Sequence, residues 1–179
     1  MGTICVVPFS GTESLDWDFV VAELELVMRR PVWLAAVQHN TEAAYDPSRD
    51  QYNSRRLLEI LDRLRPASAE RVVGVVSFDL FIPVLTFVFG EAQLEGRAAV
   101  VSSLRLDNGF YGLPSNRALH HARLITEVVH ELGHTYGLRH CATPRCVMNR
   151  STYVEEIDLK DDSYCNRCAR RVVANHATG

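Results

Sequence analysis

The chain has 179 residues, of which 47% are hydrophobic and 23% charged, and its net charge is -3. That size and balance suit a single soluble domain over residues 1–179, and the charge argues against a nucleic-acid partner, whose binding proteins are strongly basic. No apolar run is long enough to cross a bilayer, so a membrane-spanning role is set aside.

The opening MGTICVVPFSG lacks the basic and apolar regions of a secretory signal, and Val6 stands where a myristoylation motif needs Ser or Thr. A cytoplasmic location is therefore expected. Residues 3–9, TICVVPF, read as a first buried strand, with Cys5 as a small core hydrophobe. Residues 13–30 carry Leu15, Phe19, Val20, Leu24 and Val27 at helical spacing, and VWLAAVQ (32–38) reads as a second strand. SRRLLEILDRLRP predicts a second helix, with Leu57, Leu58, Ile60, Leu61 and Leu64 inward and Pro66 as its stop. Three more strands are expected at 71–81, 85–93 and 97–106, the last two joined through a tight LEG connection.

This β-α-β-α-β-β-β order predicts an α/β domain with a mixed β-sheet packed against helices. Its first three strands run parallel through crossover helices, and its last two form a hairpin. The turn-rich stretch 107–116 then leads to a helix from about Arg117 to Tyr136, with Ser115 or Asn116 as N-cap.

That helix carries the chemistry. At 100° per residue, Glu127, His130, Glu131 and His134 share about one third of the circle, and Leu124, Ile125, Val128, Val129 and Leu132 cover the opposite side. Histidines at i and i+4 can reach one metal ion, and the glutamate after the first can take a proton from a water acidified by zinc. Gly137 suits a sharp left-handed turn that returns His140 to the same ion, and three neutral histidines leave a catalytic zinc one open position. The expected catalytic residue is Glu131, with His130, His134 and His140 as metal ligands.

Cysteines follow at once. Cys141 and Cys146 enclose four residues, Cys165 and Cys168 enclose two, and eighteen separate the pairs. In a reducing compartment this spacing reads as a tetrahedral Cys₄ zinc site, with two disulfides as the alternative. The expected cofactors are two Zn²⁺ per chain, the second clamping a C-terminal segment at about 141–170. Between the pairs, STYVEEIDLKDD (151–162) is polar and read as exposed.

HELGHTYGLRH has the form shared by metzincins, and the continuation CATPRCVMNR…CNRC, together with FVFGEAQLEGRAAVVSSLRL upstream, resembles the archaemetzincins. The resemblance implies a zinc metallopeptidase in which His130, His134 and His140 hold the catalytic zinc and Glu131 is the general base. It also implies that Met148 forms a hydrophobic floor beneath the metal and that the four cysteines hold a second zinc. It makes residues 87–93 the substrate-binding edge strand and Tyr153 or Tyr164 a stabiliser of the oxyanion; Glu91 of that strand is a candidate contact for a substrate amino group. The expected partner is a peptide or protein substrate, met by a monomer. His39, His120 and His121 are read as surface or capping residues, and His176 has no evident partner. Two rivals stand beside this reading: a zinc hydrolase of non-peptide amides or esters, and a non-catalytic protein organised by two zincs.

Overall fold

Two aliphatic runs, ICVV at 4–7 and VVGVV at 72–76, lie side by side at the centre of the fold in the computed structural model, which describes residues 2–174. In chain order the elements are β1 (Thr3–Pro8), α1 (Trp17–Met28), β2 (Val32–Leu34), β3 (Tyr45–Asp46), β4 (Gln51–Asn53), α2 (Ser54–Leu64) and β5 (Ala69–Val76). They continue with β6 (Leu80–Phe81), β7 (Gly90–Ala92), β8 (Ala98–Ser102), α3 (Arg117–Thr135), α4 (Val154–Ile157) and α5 (Asn166–Ala174).

The main sheet has the order β2-β1-β5-β8-β7. Its first four strands are parallel, and β7 runs antiparallel to β8 at the edge. Side chains of a strand alternate between faces, so a sheet covered on both sides needs unbroken apolar strands. Ile4, Val6, Val73, Val75, Ala99 and Val101 join the core formed with α1 and α3. Cys5, Val7, Val72, Val76, Ala98 and Val100 join the core formed with α2. The mixed α/β sheet follows the expected pattern of three parallel strands and a terminal antiparallel pair.

Several expected strands are shorter than their apolar runs. The run 71–81 leaves the sheet after Val76, because Asp79 is taken by a bidentate Arg105 at 2.6 Å through both oxygens and by Gln51 Nε2 at 2.7 Å. Beyond that anchor, β6 pairs with β4 in a separate sheet of order β3-β4-β6. The expected strand at 85–93 narrows to β7, with one isolated bridge between Leu80 and Val88. The strand at 32–38 keeps three residues and a further bridge at Gln38. On α2, Leu57, Leu58 and Leu61 are buried as expected, whereas Leu64 at the last turn is 41% exposed.

The largest departure lies at 151–162. Its polar composition suggests an exposed loop, yet Val154 and Ile157 of α4 are buried in the core beside α3. The reason is an ion pair remote in sequence. Arg123 of α3 donates two hydrogen bonds of 2.7 Å to Asp158 and others to the Leu106 carbonyl and Asn108 Oδ1. Among the described residues no helix is long and apolar enough to cross a membrane.

The buried position of Ile157 is testable. Ile157→Ala should cost about 2–5 kcal/mol of stability, the usual loss for emptying a core site. Urea denaturation measures it, and a change within about 0.5 kcal/mol, typical of an exposed residue, would contradict the packing.

Candidate metal centres and the cleft above them

The helix α3 starts where Asn116 Oδ1 accepts the Leu119 N–H at 3.0 Å, an N-cap of the preferred type. Its apolar side, with Leu124, Ile125, Val128, Val129 and Leu132, is buried in the core shared with the sheet. Its polar side is buried as well: Glu127, His130 and Glu131 are 3%, 5% and 6% exposed. The chain beyond the helix and β7 supply the cover, so each polar group there needs a partner or a use.

His130 Nδ1 donates to the Val147 carbonyl, and His134 Nδ1 donates to the Leu138 carbonyl, both at 2.7 Å. A carbonyl only accepts, so each Nδ1 carries the proton and each Nε2 keeps its lone pair. The two Nε2 atoms lie 3.2 Å apart. Tetrahedral coordination with Zn–N bonds of 2.0–2.1 Å separates neighbouring nitrogens by about 3.3 Å, so the pair fits zinc.

Gly137, at φ +79°, ends the helix, and the Leu138 N–H reaches back to the Gly133 carbonyl at 3.0 Å. The turn returns His140, and ligand atoms of the three histidines all lie within 4.8 Å of one another. Burial lowers the pKa of each ring, most strongly for His130, and so favours the neutral form that binds metal. Met148 is fully buried beneath Gly133, where a methyl group would collide with its sulfur.

Glu131 has its carboxylate against β7. A Cβ on Gly90 would stand 2.7 Å from Glu131 Cγ and 2.9 Å from its Oε1, so only glycine lets the strand come this close. Burial pushes the Glu131 carboxyl well above the ordinary carboxylate range, and the Glu127 and Glu91 charges push it further.

Glu127 is paired. Lys160 Nζ lies 3.0 Å from Glu127 Oε1 and 3.2 Å from the Asn149 carbonyl, with both side chains of the pair at most 4% exposed. Helical spacing puts Glu127 on the polar face, but nothing in the sequence marks Lys160 as its partner. A partner 33 residues away in a polar stretch leaves no periodic signal.

The four later cysteines also converge. All five cysteines are free, and ligand atoms of Cys141, Cys146, Cys165 and Cys168 lie within 4.8 Å of one another. The Cys141 and Cys165 sulfurs are 3.9 Å apart, too far for a disulfide bond of about 2.0 Å and near the roughly 3.8 Å of a tetrahedral Zn–S site. Burial opposes ionisation of Cys141, but hydrogen bonds from Thr143 and Arg167 outweigh it and draw the thiol down to about 6. Cys141 N–H also donates to the Met148 carbonyl, which closes the loop between the two clusters.

The other singled-out residues lie elsewhere. Cys5 is fully buried and its thiol is pushed up to about 11 by burial, consistent with a core hydrophobe. His120 bonds the Ser103 carbonyl, His121 accepts the Asp16 N–H, and His39 meets Ser10. Tyr164 is buried, with its hydroxyl donated to the Val129 carbonyl at 2.8 Å. Tyr153 is 66% exposed and is not among the residues lining the cleft. Neither tyrosine is therefore set to meet an oxyanion. His176 lies outside the described residues.

A cleft of about 810 Å³ passes over Glu127, His130, Glu131 and His134. Residues 85–92 form one wall, and Arg139, His140 and 150–152 form the other. Within the stretch 87–93, Gln93 instead closes the turn to β8 through the Arg97 and Ala98 N–H groups. Glu91 accepts hydrogen bonds from Ser54 and Arg55 of α2.

A model of Peptidase family M54 matches residues 19–174. The chain is 43% identical over 129 residues to the archaemetzincin of Methanocaldococcus jannaschii, covering 72% of this chain and 70% of that one. It is 34% identical over 185 aligned positions to the archaemetzincin of Pyrococcus abyssi, covering 98% and 96%. The crystal structure of archaemetzincin from Methanopyrus kandleri superposes with a TM-score of 0.84 at 35% identity, covering 98% of this chain and 96% of that one. A zinc-dependent peptidase from Methanocorpusculum labreanum superposes with a TM-score of 0.85 at 28% identity, covering 94% and 99%.

The Lys160–Glu127 pair carries a pH signature. Lys160→Met leaves a buried carboxylate alone, which should cost about 3–5 kcal/mol at neutral pH. Burial raises the folded-state pKa of that carboxyl, so the folded form takes up protons more readily. The penalty therefore grows as pH rises above the unfolded value near 4.3 and shrinks below it. Urea melts of both proteins at pH 4 and pH 7 measure the difference, and an equal loss at both would contradict it.

Proposed function

The chain belongs to Peptidase family M54, a family of zinc metallopeptidases, and from that premise we propose that it cleaves peptide bonds with zinc held by His130, His134 and His140 and with Glu131 as general base. The observation that carries the assignment is the 3.2 Å approach of two Nε2 lone pairs, each oriented by a carbonyl on the opposite ring nitrogen, with His140 alongside. Bound there, zinc supplies a Lewis acid that acidifies water and polarises a carbonyl oxygen.

The chain's own residues do the rest. Glu131, deprived of water and held by the close approach of β7, takes a proton from the attacking water and hands it to the leaving nitrogen. Burial raises its affinity for a proton, which makes this carboxylate a stronger base than one in water. β7 is the sheet edge beside the base, so its outward main chain is available to an extended peptide.

The second half of the proposal is a structural zinc on Cys141, Cys146, Cys165 and Cys168, giving two ions per chain. Four free thiols at metal-ligand spacing suit a reducing compartment, in keeping with a cytoplasmic location. Cys141 and Cys146 on the return segment and Cys168 on α5 would hold this zinc, which would tie α5 to the turn that bears His140 and contribute its binding free energy to folding.

Glu131→Gln keeps the shape and removes the base. Elemental analysis should still give two zinc ions per chain, while hydrolysis of a peptide substrate should fall by about 10²–10⁴-fold. Turnover at the wild-type rate would overturn the role of Glu131, and absence of zinc from the wild type would overturn the metal reading.

A further inference from the structure

The charges that face the cleft are not equally provided for. Glu127 is bound by Lys160, and Glu91 by Ser54 and Arg55, so two of the three carboxylates have protein donors. The third, Glu131, is the proposed base. On the opposite wall, Arg139 and Arg150 are exposed and have no ion pair or hydrogen bond among the described residues. Next to Arg150 in the chain and in the same lining, Ser151 has a buried Oγ that also lacks a hydrogen-bond partner. A buried hydroxyl without a partner costs free energy unless something completes it, and this one belongs to the same cleft lining as the two unpaired guanidinium groups.

We propose that Arg139, Arg150 and Ser151 form a carboxylate-recognition subsite that selects peptides with an acidic residue near the scissile bond. This inference rests on the reading of the cleft as a peptide-cleaving site. Guanidinium groups match a carboxylate with paired, charge-assisted hydrogen bonds, and the hydroxyl adds a donor. Arg139 immediately precedes His140, and Arg150 follows Met148 by two residues, so both are carried on the segments that frame the catalytic turn. The facing wall carries Leu85, Phe87, Phe89 and Leu94, and the cations against it are engaged: Arg49 with the Leu85 and Thr86 carbonyls, Arg55 with Glu91 and Arg105 with Asp79. The chain carries a net charge of -3 and Glu156 lies within electrostatic reach of Arg150, but a concave site concentrates the field of the two guanidinium groups on an anionic ligand.

The test separates recognition from chemistry. Hexapeptides identical except for Glu, Gln or Lys at one position, moved through each place in turn, are titrated onto zinc-loaded Glu131→Gln protein by fluorescence anisotropy. At one or two places the Glu peptide should bind about tenfold more tightly than its Gln counterpart, the scale of a charge-assisted contact at a partly exposed site, and Lys should bind most weakly. That advantage should fade as salt is raised. In the triple variant Glu131→Gln/Arg139→Glu/Arg150→Glu, checked for folding by its zinc content, the order should invert in favour of Lys. Equal binding of all three peptides, or a Glu preference that survives the charge reversal, overturns the subsite. If the triple variant loses zinc, the salt dependence of the Glu131→Gln protein decides, and a Glu advantage insensitive to salt counts against it. Failure of the wild type to hydrolyse any of these peptides would instead count against the peptidase reading, which the binding order does not touch.

Discussion

A single peptide bond joins the two clusters. His140 belongs to the imidazole group and Cys141 to the thiol group, so neighbouring side chains must diverge toward two separate centres. Everything around that bond serves the requirement. Gly137 turns the chain back under the helix, the Cys141 N–H is fixed on the Met148 carbonyl, and the Val147 carbonyl fixes the ring of His130. The return strand of chain therefore orients one ligand through its carbonyl and supplies another through a sulfur. Displacing residues 141–148 would disturb both clusters together.

The same geometry explains why so much charge is buried on α3. A surface helix ordinarily turns its polar face to water, but here that face is covered by β7, by the return segment and by Lys160 just beyond α4. Most buried groups are matched. His130 and His134 have carbonyls, Glu127 has Lys160, and Arg123 has Asp158 and a carbonyl. Glu131 stands apart, buried against Gly90 with its proton affinity raised by burial and by neighbouring carboxylates. An unmatched carboxylate is costly in a core and useful as a base beside a metal, so the least stable group of the helix is the one assigned the proton transfers.

The local features of this arrangement are the ones legible in the sequence. Helical spacing separates the faces of α3, Asn116 caps it, Gly137 ends it, and the His and Cys spacings identify the two groups that the fold brings together. The parallel core strands are legible because both faces are buried and their apolar runs are continuous. What was missed depends on partners distant in sequence. Asp79 leaves the sheet for Arg105, Ile157 is drawn inward beside the Arg123–Asp158 pair, and Lys160 reaches Glu127 across 33 residues. Gly90 looks like a weak point in a strand until the approach of Glu131 shows why no side chain fits.

The two proposed zinc ions, with wholly different ligands joined at the His140–Cys141 bond, would have a distinctive X-ray absorption signature. The zinc K-edge fine structure of the loaded protein averages over both ions. One ion on four sulfurs and one on three imidazoles and an oxygen would give about two sulfurs near 2.3 Å and about two light atoms near 2.0 Å per zinc. That mixed shell, with the multiple scattering of imidazole rings, is the expected result. A shell of nitrogen and oxygen alone, or of sulfur alone, would contradict the pairing of the two centres.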